Sequence, residues 1–128
     1  MERAVLIFAT VQLLIIGLSH LLQPRAWAEF FILLREKGAP GVFAVAFLSL
    51  IFGSIILAFH RVWHGIPLVL TLLGIAQVVK AALYFCFPRY GMKALQRVSL
   101  ERAWEFQVAA VALFVLCGLF LYELLRTG

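Results

Sequence analysis

The chain has 128 residues, of which 65% are hydrophobic and 13% are charged, and its formal net charge is +5. A water-soluble domain of this size cannot bury so much apolar surface, and a disordered chain would be far more polar. Asp and Asn are absent, which excludes EF-hand calcium sites and N-glycosylation sequons. The composition predicts an integral membrane protein whose positive charge meets anionic lipid headgroups and not nucleic acid.

Four apolar stretches are long enough to cross a bilayer, which takes about 20 residues in a helix. Only the third carries a charge in its middle, Lys80. All four are too long and too continuous for the strands of a membrane barrel. We therefore predict an all-α fold, an integral membrane four-transmembrane-helix bundle that forms one domain over residues 1–128. The predicted spans are about 4–22, 41–59, 65–87 and 106–125.

The loop after the first span alternates charged and apolar residues at helical spacing. Its apolar positions are Trp27, Phe30, Phe31 and Leu34. Pro24 favours a helix start, and Gly38 with Pro40 favours a stop, so we predict a short amphipathic helix at the membrane interface. The loop at 90–105 has a similar pattern, and its apolar residues are expected to face lipid. Those residues are Met92, Leu95 and Val98.

The distribution of basic residues predicts the orientation of the spans. Seven Lys or Arg side chains lie in the loops after the first and third spans, counting Arg89, against three at the opposite ends, namely Arg3, Arg61 and Arg126. The positive-inside rule makes the two loops cytoplasmic and places both termini outside. The rule applies here on the assumption of a bacterial-type inner membrane.

Two short motifs raise the question of an internal repeat. Pro24-Arg25 begins four residues after His20, and Pro88-Arg89 begins four residues after Tyr84. Two copies of a span, a surface helix and a span would be related by an axis along the membrane normal. Residue types that are common at the ends of membrane spans would produce the same two motifs without a repeat, so both interpretations remain open.

The stretch from residue 17 to residue 80 resembles the DoxX-like small membrane proteins. The resemblance depends on Gly17 with a polar residue after it and on three motifs: Ala28-Glu29-Phe30-Phe31, Gly38-Ala39-Pro40 and Leu50-Ile51-Phe52-Gly53. It covers about half of the chain and implies a four-helix fold and an accessory role beside membrane redox complexes. Ser49 stands where that family often has Glu, and His20 where it often has a basic residue near the end of helix one.

Lys80 is the most informative polar residue, because it lies eight positions before Pro88 and so about 12 Å inside the helix end. It either extends toward the headgroups or pairs inside the bundle with a carboxylate or an anionic ligand. Glu105 enters the fourth span at a compatible depth. The predicted polar cleft consists of His20, Gln77, Lys80, Tyr84 and Glu105. Hydrogen bonding between Gln12 and Ser19 of span one and the polar residues of span three is the alternative.

Other candidate sites are weaker. His60 and His64 are four apart, but no third metal ligand accompanies them, so we predict no metal and no cofactor. No nucleophile–base motif occurs, and we assign no catalytic residue. Cys86 and Cys117 lie at different depths and are expected to stay unpaired. Ser49 and Gly53 form a small-residue pair that favours a neighbouring helix, in this chain or in another subunit.

Three functional classes are compatible with this sequence. The class that the sequence favours most is a non-catalytic accessory or structural subunit of a membrane assembly, which explains the missing catalytic motifs. The second is a transporter or binder of a small anionic or amphiphilic molecule, which explains Lys80. The least favoured is a membrane enzyme using His20, Lys80 and Glu105. The expected partners are anionic membrane lipids and either further copies of the chain or other membrane subunits.

Overall fold

The computed structural model describes the backbone of residues 2–127 and the side chains of residues 3–127. Regular structure in that range is entirely helical. The helices are α1 (Glu2–Leu22), α2 (Pro24–Glu36), α3 (Ala39–Phe59), α4 (Pro67–Cys86), α5 (Pro88–Gln96) and α6 (Trp104–Thr127), with a 3-10 turn at Leu100–Arg102 before α6.

Four of these helices, α1, α3, α4 and α6, are long and apolar enough to cross a membrane. This confirms the prediction of an all-α fold with four candidate spans. The third span begins two residues later than predicted. Gly65 has a positive φ of 67°, so the chain turns at this residue and α4 cannot begin before it. Pro67 then occupies the first turn of α4, where a backbone N–H has no partner within the helix and its absence costs nothing.

The long helices are arranged as two pairs, because α1 packs along α6 and α3 packs along α4. Helices α3 and α4 come closest at Gly53 and Gly74, where a Cβ added to Gly53 would lie 2.8 Å from the carbonyl oxygen of Gly74. The sequence left open whether the small-residue pair packs against a helix of this chain or of another subunit. In the structure Gly53 packs against α4 of the same chain. Ser49, one turn earlier, is also buried.

A buried core joins the two pairs at the end of the bundle away from α2 and α5, which we call the core end. Ile56, Leu70 and Phe120 are completely buried there. The other members of this core are Val5, Leu6, Ala9, Leu13, Cys117 and Leu124. Both helix pairs contribute, so this core holds the bundle together.

Contacts in the two halves of the chain correspond at a constant spacing of 64 positions, the spacing of the two Pro-Arg motifs. Gly53 approaches Gly74, and at the corresponding place the Cys117 thiol lies 3.7 Å from the carbonyl oxygen of Thr10, to which it donates. Buried positions correspond in the same way: Leu6 and Leu70, Ala46 and Ala110, Ile56 and Phe120. The pairing of α1 with α6 and of α3 with α4 is the pattern that a two-fold relation between the halves produces.

The short helices α2 and α5 pack across the other end of the bundle, which we call the loop-helix end. Helix α5 contacts α3 and α4, and α2 contacts α3 and α6. The two short helices also contact each other, and Nη1 of Arg35 on α2 donates to the carbonyl oxygen of Val98, two residues after the end of α5, at 2.9 Å. Leu95 is 5% exposed and faces the bundle, so the expectation that it faces lipid is wrong.

The predicted amphipathic stretch 90–105 is not one helix. Helix α5 ends at Gln96, and Ser99 has an extended backbone with φ −146°. The Ser99 hydroxyl accepts a hydrogen bond from the Arg102 backbone N–H at 3.2 Å and starts a new turn. A serine that caps a following turn divides the segment, since its side chain competes for backbone donors.

Candidate ligand cavity at Lys80

Lys80 lines a cavity of about 160 Å³ between the two helix pairs at the loop-helix end. The polar lining consists of Lys80 and Tyr84, both on α4. The apolar lining comes from Phe31, Val45, Leu95, Val98 and Phe106. Both short helices and α3, α4 and α6 therefore contribute to one small, largely apolar chamber that contains an ammonium group.

The Lys80 ammonium lies 5.6 Å from the centre of the Tyr84 ring, in a cation–π contact. No carboxylate of residues 3–127 lies within 4 Å of it. Of the two kinds of partner that the sequence left open for Lys80, the structure does not form the ion pair with Glu105. Glu105 lies in the first turn of α6, close to the surface, and its carboxylate is 3.8 Å from Nη2 of Arg97. Lys80 lies six residues before the end of α4, which places it about 9 Å inside that end of the helix.

Glu105 lines a second cavity of about 260 Å³ together with Arg97 and Arg102. Three residues line both this cavity and the Lys80 cavity: Ala94, Val98 and Phe106. Glu105 is thus next to the Lys80 cavity and outside it.

His20 belongs to an aromatic cluster instead of the cavity lining. Its ring lies 4.2 Å from the Trp27 ring and 5.5 Å from the Phe106 ring, and its Nδ1 is 2.8 Å from the carbonyl oxygen of Ile16. The indole N–H of Trp27 donates to the Ser19 hydroxyl at 2.7 Å. These contacts fix His20 by packing. His20, Lys80 and Glu105, which the enzyme hypothesis combined, do not line one cavity.

Gln77 shares a helical face with Lys80 but lies farther along the interface between α3 and α4. Its Cβ would be 3.0 Å from a Cβ added at Gly53. Of the five side chains predicted for the cleft, the structure brings Lys80 and Tyr84 into one cavity and leaves the other three outside it.

Gly91 is a cavity residue that the sequence motifs did not indicate. An added Cβ would collide with the Val42 side chain and would lie 3.1 Å from the Tyr84 ring. Helix α5 can therefore approach α3 and α4 only without a side chain at this position. An alignment of the two halves of the sequence could have indicated this residue, because Gly91 corresponds there to Trp27.

The two histidines near the core end have different environments. His60 is completely buried, with Nε2 2.9 Å from the carbonyl oxygen of Pro67, whereas His64 is exposed. Within residues 3–127 no group of three His, Cys, Asp or Glu side chains could hold a metal ion. His60 thus fixes the turn between α3 and α4. The thiols of Cys86 and Cys117 are both free.

Comparisons of the chain with protein-family models, with curated proteins and with solved structures give no match. The DoxX-like resemblance remains a prediction, and the geometry of the cavity carries the argument about function.

Proposed function

We propose that this integral membrane protein binds a small anionic amphiphile in the Lys80 cavity. The observation that carries this proposal is a half-buried ammonium in an apolar chamber, with no carboxylate within 4 Å among the described residues. A lysine inside a membrane span costs roughly 2.5–3.5 kcal/mol by insertion scales. An anionic head group would offset that cost, and the apolar lining would receive the first carbons of the tail, because a cavity of about 160 Å³ is smaller than a long acyl chain.

We place the protein in a bacterial-type inner membrane, with the loop-helix end cytoplasmic and both termini outside. The excess of basic residues in the two loops supports this orientation. Helices α2 and α5 lie at the interface as amphipathic helices. Phe30 and Leu33 of α2 are 38% and 51% exposed, close to the exposed charges of Arg25 and Glu29. Exposed Trp63 and Trp104 lie near the helix ends, where an aromatic belt is expected.

The test is the substitution Lys80→Met, which retains side-chain length and removes the charge. Binding of oleate, measured by native mass spectrometry, should weaken about tenfold or more, since a hydrogen bond to a charged group contributes about 1.5–3 kcal/mol. Oleyl alcohol, which has the same chain and no charge, should bind equally to both proteins.

The matched control is Lys37→Met, which removes an exposed lysine from the same end of the bundle. It should leave oleate affinity unchanged. Oleate affinity in Lys80→Met equal to that of the parent protein would refute the proposal and would leave Lys80 as a residue that extends toward the headgroups.

A second candidate function, an accessory subunit or homo-oligomer, is favoured by Gln12. This side chain is exposed in the middle of α1 and has no hydrogen-bond partner among the described residues. An amide that faces outward at this depth gains a partner when a helix of another subunit covers it. Gln12→Leu should then release a copurifying subunit, or convert an oligomer to a monomer, in native mass spectrometry. An unchanged mass distribution would contradict this candidate.

A further inference from the structure

Helix α5 carries a groove of about 490 Å³ on the face opposite the bundle. Arg89, Lys93 and Gln96 follow one another at helical spacing along this groove, and Tyr90 and Met92 line its apolar part. Gly91 and Leu95 are buried on the other face, toward the bundle. The groove is thus an outward surface with two cations, one amide and two large apolar side chains.

The two cations of the groove are not neutralised by protein carboxylates. Among residues 3–127 neither Arg89 nor Lys93 has a carboxylate within 4 Å. The Arg89 guanidinium lies 5.3 Å from the Tyr90 ring centre, so the ring holds it in place. Like charges four residues apart destabilise a helix, and α5 has only nine residues.

The corresponding place on α2 is neutral. Arg25 and Glu29 are also four residues apart, and Nε of Arg25 lies 3.7 Å from the Glu29 carboxylate. Lys93 takes the position that corresponds to Glu29. The first half therefore supplies its own counter-charge at this surface, whereas the second half presents two cations that lack one.

We propose that the groove of Arg89, Lys93 and Gln96 binds the phosphate of one anionic phospholipid, with Tyr90 and Met92 against the start of its acyl chains. The proposal rests on the membrane placement of α5 given above and is independent of the Lys80 ligand. Pro88 begins α5 just after α4 ends at Cys86, so Arg89 lies at the level of the headgroups. A guanidinium binds phosphate through two parallel hydrogen bonds, and an ammonium next to it adds a point charge.

The decisive variant is Lys93→Glu, because it creates on α5 the charge pair that α2 already has. The helix should be retained, which circular dichroism checks. Protein extracted from vesicles of equal parts phosphatidylglycerol and phosphatidylcholine is then examined by native mass spectrometry. The parent protein should retain one phosphatidylglycerol with about tenfold preference, and Lys93→Glu should lose that preference.

Three control proteins distinguish a specific site from an effect of overall charge. Lys37→Glu makes the same charge change at the same end and should keep the preference. Lys80→Met should also keep it while losing oleate, so that either proposal can fail alone. Glu29→Lys, which gives α2 the charges of α5, should retain a second phosphatidylglycerol.

Two results would overturn the proposal. One is an undiminished preference in a folded Lys93→Glu. The other is an equal loss in Lys37→Glu, which would mean that overall charge attracts the lipid. A last arm adds soluble glycerol phosphate to the parent protein: if it displaces the lipid at equimolar concentration, the groove binds free phosphate esters and the lipid assignment is wrong.

Discussion

Trp27 and Gly91 occupy corresponding places in the two halves of the chain, and their surroundings differ in charge. Trp27 packs on His20 and Phe31 and donates a hydrogen bond to Ser19, and its ring lines a cavity of about 330 Å³ that has no charged side chain in its lining. Gly91 has no side chain, and the space beside it belongs to the Lys80 cavity. One scaffold thus has an uncharged cavity beside Trp27 in the first half and a cavity lined by a lysine beside Gly91 in the second.

The charges differ between the halves in the same direction. Lys80 corresponds to Ile16, and Lys93 corresponds to Glu29. At both places the second half has a lysine. The corresponding residue of the first half is the apolar Ile16 or the acidic Glu29, whose charge is balanced by Arg25. The comparison teaches that the first half contributes aromatic packing and an uncharged cavity to this end of the bundle, while the second half contributes positive charge, which favours the binding of an anion.

The largest effect is expected for Trp27→Ala, which removes the side chain from the place where the second half has Gly91. It removes the ring from His20 and breaks the hydrogen bond to Ser19, and Trp27 is half-buried. The free energy of unfolding should fall by about 3 kcal/mol, measured by SDS titration in mixed micelles. Trp63→Ala, at a 62% exposed tryptophan, is the control and should change it by less than about 0.5 kcal/mol. Equal losses would mean that Trp27 contributes no specific packing.

A smaller effect is expected for Gly91→Ala, which adds a methyl group at the Lys80 cavity. The new methyl group would press on the Val42 side chain and the Tyr84 ring, and overpacking typically costs about 1–3 kcal/mol. Oleate affinity should fall with it, because the methyl group enters the lining of the cavity. Gly118→Ala is the matched control, since a Cβ there has no heavy atom within 4 Å. If both variants are equally stable and bind oleate equally, Gly91 does not keep this site open.

The four spans were predictable because length and continuous apolarity determine them, whereas the pairing of their faces was not. The spans are apolar on nearly every side, so periodicity does not show that α1 meets α6. Lys80 could be identified as a buried charge, but its depth relative to Glu105 depends on where α6 begins, which Ser99 and the 3-10 turn decide. The matching motifs around Pro24 and Pro88 left a repeat open, but they did not show that Trp27 and Gly91 distinguish its halves.

The pairing of α1 with α6 has a consequence for the order of assembly. Helices α3 and α4 are neighbours along the chain, so they can associate as soon as both are made, at a small loop-closure cost. Helix α1 is synthesised before the other described helices, but its main partner is α6, and Nη1 of Arg3 reaches the carbonyl oxygen of Leu124 at 3.0 Å only once α6 is in place. Until then α1 stays in the membrane without its principal contact, and insertion of α6 is the step that closes the bundle.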